Sequence, residues 1–174
     1  MKYEQQPPIL VVFGGRPGTG KTTLARKLTM RLGATYLRID AIEQAMQAAG
    51  LTVGETGYAI ANALAAENLK PGRIVIVDCV NPVLASRTGW RKTAAQNAAR
   101  LVEIELVCSD PALHRRRAED RLPDIGGHKL PAWDEIMSRD YEPWDREHLV
   151  LDTAAGTLDR LVERAEAYVR GDID

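Results

Sequence analysis

Charge of one sign is what this 174-residue chain has least of: 23 Lys and Arg stand against 24 Asp and Glu, a formal net charge of −1. So even a balance offers no overall field for a nucleic-acid strand or an acidic bilayer, and it argues against partners that need an extended basic groove. Cysteine is scarce too. Cys79 and Cys108 each sit in an apolar, strand-like run, so the expectation is two buried, reduced thiols in a cytoplasmic protein with no need of a disulfide scaffold. No stretch approaches the roughly 20 apolar residues that span a bilayer. Residues 1–8 are polar and carry two prolines, without the apolar centre of a secretory signal. Repeats and low-complexity tracts are missing, and His114 and His128 stand alone, without metal-ligand spacing, as expected surface or loop residues.

What is present is an alternation. With 45% hydrophobic residues the chain can build one substantial core, and one domain is expected. Strand-like runs at 9–13, 35–39, 74–77, 101–108 and 148–151 alternate with helical patterns at about 41–49, 56–69, 82–100, 111–121, 133–139 and 157–170. That order predicts an open parallel sheet with helices on both faces. Asp110-Pro111 reads as a helix start, the aspartate capping and the proline in the first turn. From Leu122 to Pro131 the pattern dissolves into prolines, Gly126-Gly127 and charges, which predicts a mobile lid spanning about 117–135.

The strongest motif lies near the start. Gly15-Arg16-Pro17-Gly18-Thr19-Gly20-Lys21-Thr22 satisfies G-x-x-x-x-G-K-[ST] between the apolar Ile9–Phe13 and a helix with Leu24, Leu28 and Leu32 on one face. Glycines let successive N–H groups curl inward toward phosphate oxygens, and the dipole of the following helix adds positive potential. Gly15, Pro17, Gly18, Thr19, Gly20, Lys21, Thr22 and Thr23 are therefore the candidate nucleotide-binding residues. Lys21 is expected to reach the β- and γ-phosphates and the Thr22 hydroxyl to ligate Mg²⁺.

A triphosphate site says nothing of where the phosphate goes. Asp40 and Asp78 stand at expected strand ends, where open parallel sheets place their ligand crevice. Asp78, after four aliphatic residues, fits a Mg²⁺-holding acid, or else a loop cap. Asp40 fits an acid that orients an acceptor hydroxyl and takes its proton, or else the N-cap of the helix behind it. Arg117 and Arg121, four apart on a predicted helix, fit a pair of forks that neutralise charge in phosphoryl transfer, with a solvated basic face as the plain alternative. Asn81, Arg87 and Trp90, and less strongly Tyr58 and Asn62, are candidates to recognise the acceptor, Trp90 equally a core residue. The loop Asp152–Gly156 either flanks an adenine ring or is a plain turn.

With GGRPGTGKTTLA, the acid in YLRID, the run NLKPGRIVIVDCVNP and the Arg117/Arg121 spacing in place, the chain resembles the small P-loop hydroxyl kinases. These include gluconate, shikimate and adenylylsulfate kinases, chloramphenicol phosphotransferase and the zeta-toxin-like or AAA-type ATPase branch. The resemblance runs from Ile9 to the last helix. It implies sheet order 2-3-1-4-5, ATP and Mg²⁺ as cofactors, Asp40 as the acceptor-activating acid, and Arg117 and Arg121 as lid arginines. The lid lacks the glycine and aromatic pattern of adenylylsulfate kinases. The resulting expectation is a monomeric or homodimeric kinase that moves the γ-phosphate to a hydroxyl of a small molecule. The alternatives are a nucleotide-hydrolysing ATPase or switch and a toxin-like kinase acting on a nucleotide sugar. A guanine-reading N-K-x-D is absent, and the one D-x-x-G, Asp124 to Gly127, falls in the lid.

Overall fold

The computed structural model describes residues 7–173. Five strands, β1 (Ile9–Gly14), β2 (Thr35–Arg38), β3 (Ile74–Asp78), β4 (Arg100–Val107) and β5 (Leu149–Asp152), form one sheet. Every pairing is parallel, and the order is β2-β3-β1-β4-β5 as the resemblance implies. The helices are α1 (Lys21–Leu32), α2 (Ile39–Ala48), α3 (Thr56–Leu69), α4 (Leu84–Gln96), α5 (Pro111–Asp120), α6 (Trp133–Ser138) and α7 (Leu158–Arg170).

The alternation of strand side chains separates two cores. Val11 and Phe13 of β1 point to one face, where they meet Leu24, Ala25 and Leu28 of α1 and Leu161, Val162, Ala165 and Val169 of α7. Leu10 and Val12 point to the other, against Ile39, Ala61, Ala65, Leu69 and Trp90 from α2, α3 and α4. Because β1 and β3 are buried on both faces they read as unbroken aliphatic runs rather than as alternation. Each fully buried Val, Leu or Phe stabilises the fold by about 1.5–3 kcal/mol, which is why the central strands hold the phosphate loop rigidly.

Local chemistry moves several boundaries. β2 stops at Arg38 rather than Ile39, and α2 begins at once, so Asp40 lies in the first turn of a helix whose N-cap is Arg38. Asp40 is thus neither a strand end nor a cap. The helix expected from Pro82 starts at Leu84, because Val83 is extended and the Leu84 amide donates to the Glu142 carboxylate at 2.6 Å, a cap supplied from far along the chain. It ends at Gln96, not Arg100. Ala98 takes φ 50°, and the Ala99 amide closes back on the Ala94 carbonyl. At α5 the expectation holds: Asp110 accepts from the Ala112 and Leu113 amides.

One face of β4 is charged. Val102, Ile104 and Leu106 enter the first core, while Glu103 and Glu105 point the opposite way under residues 139–148, a strap without regular structure. Glu105 accepts from the Tyr141 hydroxyl at 2.8 Å and lies 3.0 Å from His148 Nε2. Arg91 joins Glu103 to Asp145. Arg87, wholly buried, donates to the carbonyls of Asn81, Pro82, Glu142 and Pro143 and lies 4.7 Å from the centre of the Trp144 ring. Among the described residues no helix is long and apolar enough to cross a membrane.

Candidate active site

The loop from Gly15 to Gly20 joins β1 to α1 and shapes the floor of a cavity of about 650 Å³. Gly15 has φ +134°, and a Cβ there would lie 2.2 Å from the Leu106 carbonyl oxygen, so no other residue fits. Gly18, at φ +85°, leaves only enough room for α5, since a Cβ would come within 3.1–3.3 Å of Ala118 and His114. His114 is accordingly buried rather than a surface residue. Its Nε2 lies 2.8 Å from the Pro17 carbonyl, an acceptor only, so that nitrogen carries the proton, and its ring meets Trp133 edge-on. Arg16 ties the outer side of the loop down: it donates to the Ile136 and Arg139 carbonyls and lies over the Tyr141 ring.

Lys21 is buried, and its ammonium donates to the Arg16 carbonyl at 2.9 Å. Burial pushes its pKa down, against the opposing pull of Asp78 and Asp40. A desolvated cation bonded to a neutral carbonyl, at the foot of a helix whose first amides are free, is matched to an incoming anion. The cradle therefore fits a polyphosphate. Thr22 and Asp78 also line this space. Among the described residues no group of three or more His, Cys, Asp or Glu could hold a metal by itself. One hydroxyl and one carboxylate nevertheless suit Mg²⁺, which keeps waters and takes phosphate oxygens for the rest of its shell.

The structure brings Pro17, Gly18, Gly20, Lys21, Thr22, Thr23, Asp40, Asp78, Arg117 and Arg121 to this one cavity. Gly15 and Thr19 stand behind its wall, the Thr19 hydroxyl donating inward to the Arg16 carbonyl. Arg121 does not share a helix face with Arg117, because α5 ends at Asp120 and Arg121 is its extended C-cap. It reaches the cavity all the same. Burial lowers its pKa, and its Nε is buried without a hydrogen-bond partner. Arg117 donates to the hydroxyl and carbonyl of Thr153, pinning the loop after β5 beside the cavity.

The candidates for acceptor recognition fare differently. Arg87 and Trp90 are core, Asn81 is fully buried with φ 50°, Tyr58 accepts from the Asn81 amide, and Asn62 is bonded within the α3–α4 pair. None of them lines the cavity. Arg38, Glu43 and Asp124 do, and residue spacing pointed to none of them. Arg38 is 8% exposed and reaches three acids: Asp124 at 2.7 Å, Asp40 at 3.4 Å and Asp78 at 3.8 Å. Burial works against its charge, but the bond to Asp124 and the fields of Asp78 and Asp40 prevail and raise its pKa. Asp124 is in turn held down at about 2, chiefly by its bond from Arg38, with Arg26 adding a second at 2.9 Å. Asp78 also accepts from the Tyr36 hydroxyl at 2.7 Å. Glu43 lies one turn beyond Asp40, and burial followed by repulsion from Asp40 raises its pKa.

A glycine loop between the central strand and its helix, with acids from β3 and α2 facing it, defines a P-loop protein with the fold of the small P-loop kinases. The chain belongs to the AAA domain family, whose model matches residues 10–138. It is 27% identical over 185 residues to the probable adenylyl-sulfate kinase of Aeropyrum pernix, covering 95% of this chain and 94% of that protein. It is 28% identical over 174 residues to an uncharacterised protein of Mycobacterium tuberculosis, covering 90% of this chain and 34% of that one, so the chain spans about a third of the curated mycobacterial relatives it matches. Among solved structures, a gluconokinase from Sinorhizobium meliloti aligns with TM-score 0.65 at 18% identity, covering 95% of this chain and 94% of that one. The Mycobacterium tuberculosis APS kinase CysC in complex with AMPPNP and APS aligns at 0.68 and 19%, covering 94% and 98%. Chaetomium thermophilum Kti12 in complex with ADP-AlF3 aligns at 0.70 and 21%, covering 95% and 99%. At such identities the likeness is one of fold.

Proposed function

We propose that the protein is a cytoplasmic, ATP-dependent kinase that transfers the γ-phosphate to a hydroxyl of a small molecule. The observation that carries this reading is the sharing of one cavity by a buried cation with only a carbonyl to bond, Lys21, and a carboxylate in the first turn of α2, Asp40. The loop amides and Lys21 bind the triphosphate. Arg121, with an uncommitted Nε, donates to the transferring group as charge spreads over its oxygens. Arg117 acts from the Thr153 side, steadying the loop that flanks the nucleotide. When bound through Thr22 and Asp78, Mg²⁺ supplies charge neutralisation on the phosphates. The acceptor oxygen forms its bond to the γ-phosphorus as the bond to the β–γ bridging oxygen breaks; the electron pair leaves on ADP and the hydroxyl proton passes to Asp40. Residues 121–132, between α5 and α6, serve as a lid that excludes water from this step.

The test is an acceptor screen by ATP loss and product phosphorylation, with sugars, nucleosides, antibiotics and nucleotide sugars in parallel, followed by Asp40→Asn. The expected result is transfer that falls about 10²–10⁴-fold in Asp40→Asn while a fluorescent ATP analogue still binds. Undiminished transfer removes Asp40 from the mechanism. ATP loss without any phosphorylated acceptor favours a hydrolytic switch instead.

A further inference from the structure

Arg38 belongs to neither the phosphate loop nor the expected set of catalytic groups, yet it touches every acid that the reaction uses. It ends β2, is buried, and faces Asp40, Asp78 and Asp124, which come from three separate elements. The three distances are unequal. The short contact, 2.7 Å, goes to Asp124 of the lid, while Asp40 is held only at 3.4 Å and Asp78 stays at 3.8 Å. The Arg38 Nε, buried, makes no hydrogen bond at all. A guanidinium has five donors in a fixed fork and cannot satisfy three carboxylates at full strength together. Where it bonds closely, it leaves the others loose.

The lid is down in this arrangement. Asp124 is clasped by Arg38 from β2 and by Arg26 from α1, and a Cβ on Gly127 would lie 2.9 Å from Gln44 of α2. Lifting residues 121–132 removes Asp124, the closest partner of the Arg38 guanidinium, and leaves Asp40 and Asp78 as the carboxylates within 4 Å of it. A guanidinium that loses one carboxylate pairs more closely with those beside it, so the fork turns to them. A carboxylate gripped by a guanidinium is a poorer proton acceptor, and its lone pairs are turned away from the acceptor hydroxyl.

We propose that Arg38 is a positioning residue that grips Asp40 closely while the lid is open and slackens to the 3.4 Å contact of this structure when Asp124 draws the guanidinium away on closure. The acceptor-activating acid is then available only in a shut, dry cavity, which suppresses transfer to water before the acceptor is enclosed. This rests on the role given to Asp40 above and adds the device that times it.

The probe is ATP alone, with water as the acceptor, so the acceptor need not be known. Asp124→Asn is expected to lower phosphate release about tenfold, because the fork stays on Asp40. Adding Arg38→Gln to it is expected to recover at least threefold of that loss, since the group blocking Asp40 is gone. Arg38→Lys in place of Arg38→Gln keeps the charge and is expected to recover nothing. A second arm is independent of catalysis: trypsin cleavage after Arg121 and Lys129, which is expected to quicken about fivefold in both Asp124→Asn and Arg38→Gln. Thermal midpoints and binding of a fluorescent ADP establish that each variant folds.

A double variant as slow as Asp124→Asn or slower, or an Asp124→Asn protein cleaved no faster than the parent, overturns the proposal. Recovery and faster cleavage in a protein that phosphorylates no acceptor leave the device standing and remove the kinase reading, so the two fail separately.

Discussion

The two sides of the cavity are built in opposite ways. On the phosphate side the main chain does the holding: Gly15, Gly18 and Gly20 adopt positive φ, and the loop is fastened by carbonyls to Lys21, Thr19 and His114. On the opposite side, the proposed acceptor side, charged side chains from β2, α2, β3 and residues 121–132 hold one another, with Arg38 at their centre. A backbone cradle is pre-organised and rigid, and it suits a ligand part that is always the same. A lattice of ion pairs can re-pair when one member leaves, which suits a side that must open for different stages of a reaction.

The sharpest way to break the cradle is to crowd it. Gly15→Ala places a methyl against the Leu106 carbonyl at a backbone angle that L residues rarely adopt, and the strain and overpacking together are expected to destabilise the fold by about 2–6 kcal/mol. Urea unfolding reads the loss, and nucleotide binding should fall with it. Lys21→Met is expected to leave the fold standing, since the ammonium bonds only a carbonyl, while transfer drops about 10²–10³-fold. Its nucleotide-free thermal midpoint should rise slightly, because a desolvated cation is replaced by an apolar chain of similar length; a fall would mean that the ammonium stabilises the empty loop.

The smallest effect belongs to the acceptor side and runs with pH. The Asp124 pKa is depressed to about 2 from a usual 3.8, so its contribution to holding the lid is complete above about 3.8 and is lost as pH falls toward 2. The side chain is 42% exposed, so solvent and salt screening leave only a modest gain. Hydrogen exchange in residues 121–132, corrected for intrinsic rate, should quicken as pH falls from about 4 to about 2 at low salt in the parent. Asp124→Asn should show no such step.

The same division decides what could be read from the sequence. Gly15 to Thr22 is a contiguous motif whose spacing is its geometry, and β1 and β3 are aliphatic runs, so the parallel sheet and the cradle were legible, while the strand order followed only from the resemblance to the small P-loop kinases. The acceptor side was legible only in Asp40 and Asp78, acids that follow apolar runs. Even there, α2 begins two residues before the expected start at Ala41, because Arg38 rather than Asp40 takes the cap position. Arg38, Glu43 and Asp124 meet only in space, across separations that no local pattern spans. Arg87 and Trp90 misled for the complementary reason: a guanidinium that satisfies four backbone carbonyls and an indole in the core resemble ligand-binding residues until the strap over them is known. The lid, expected from about 117 to 135, overlaps helix at both ends, since α5 runs to Asp120 and α6 starts at Trp133. Helical caps extend order further than proline and glycine counts suggest.

The strap has one more consequence, at Gly14. This last residue of β1 precedes the cradle, and a Cβ there would lie 2.4 Å from the indole of Trp144. The two positions therefore share one space and are not free to drift apart in evolution: a methyl at 14 demands a smaller ring at 144. Because Trp144 also stacks on His148 and lies beside the Arg87 fork, a change at either position is felt along the strap as well as at the mouth of the nucleotide loop. Descendants of this chain should exchange that pair together or keep both.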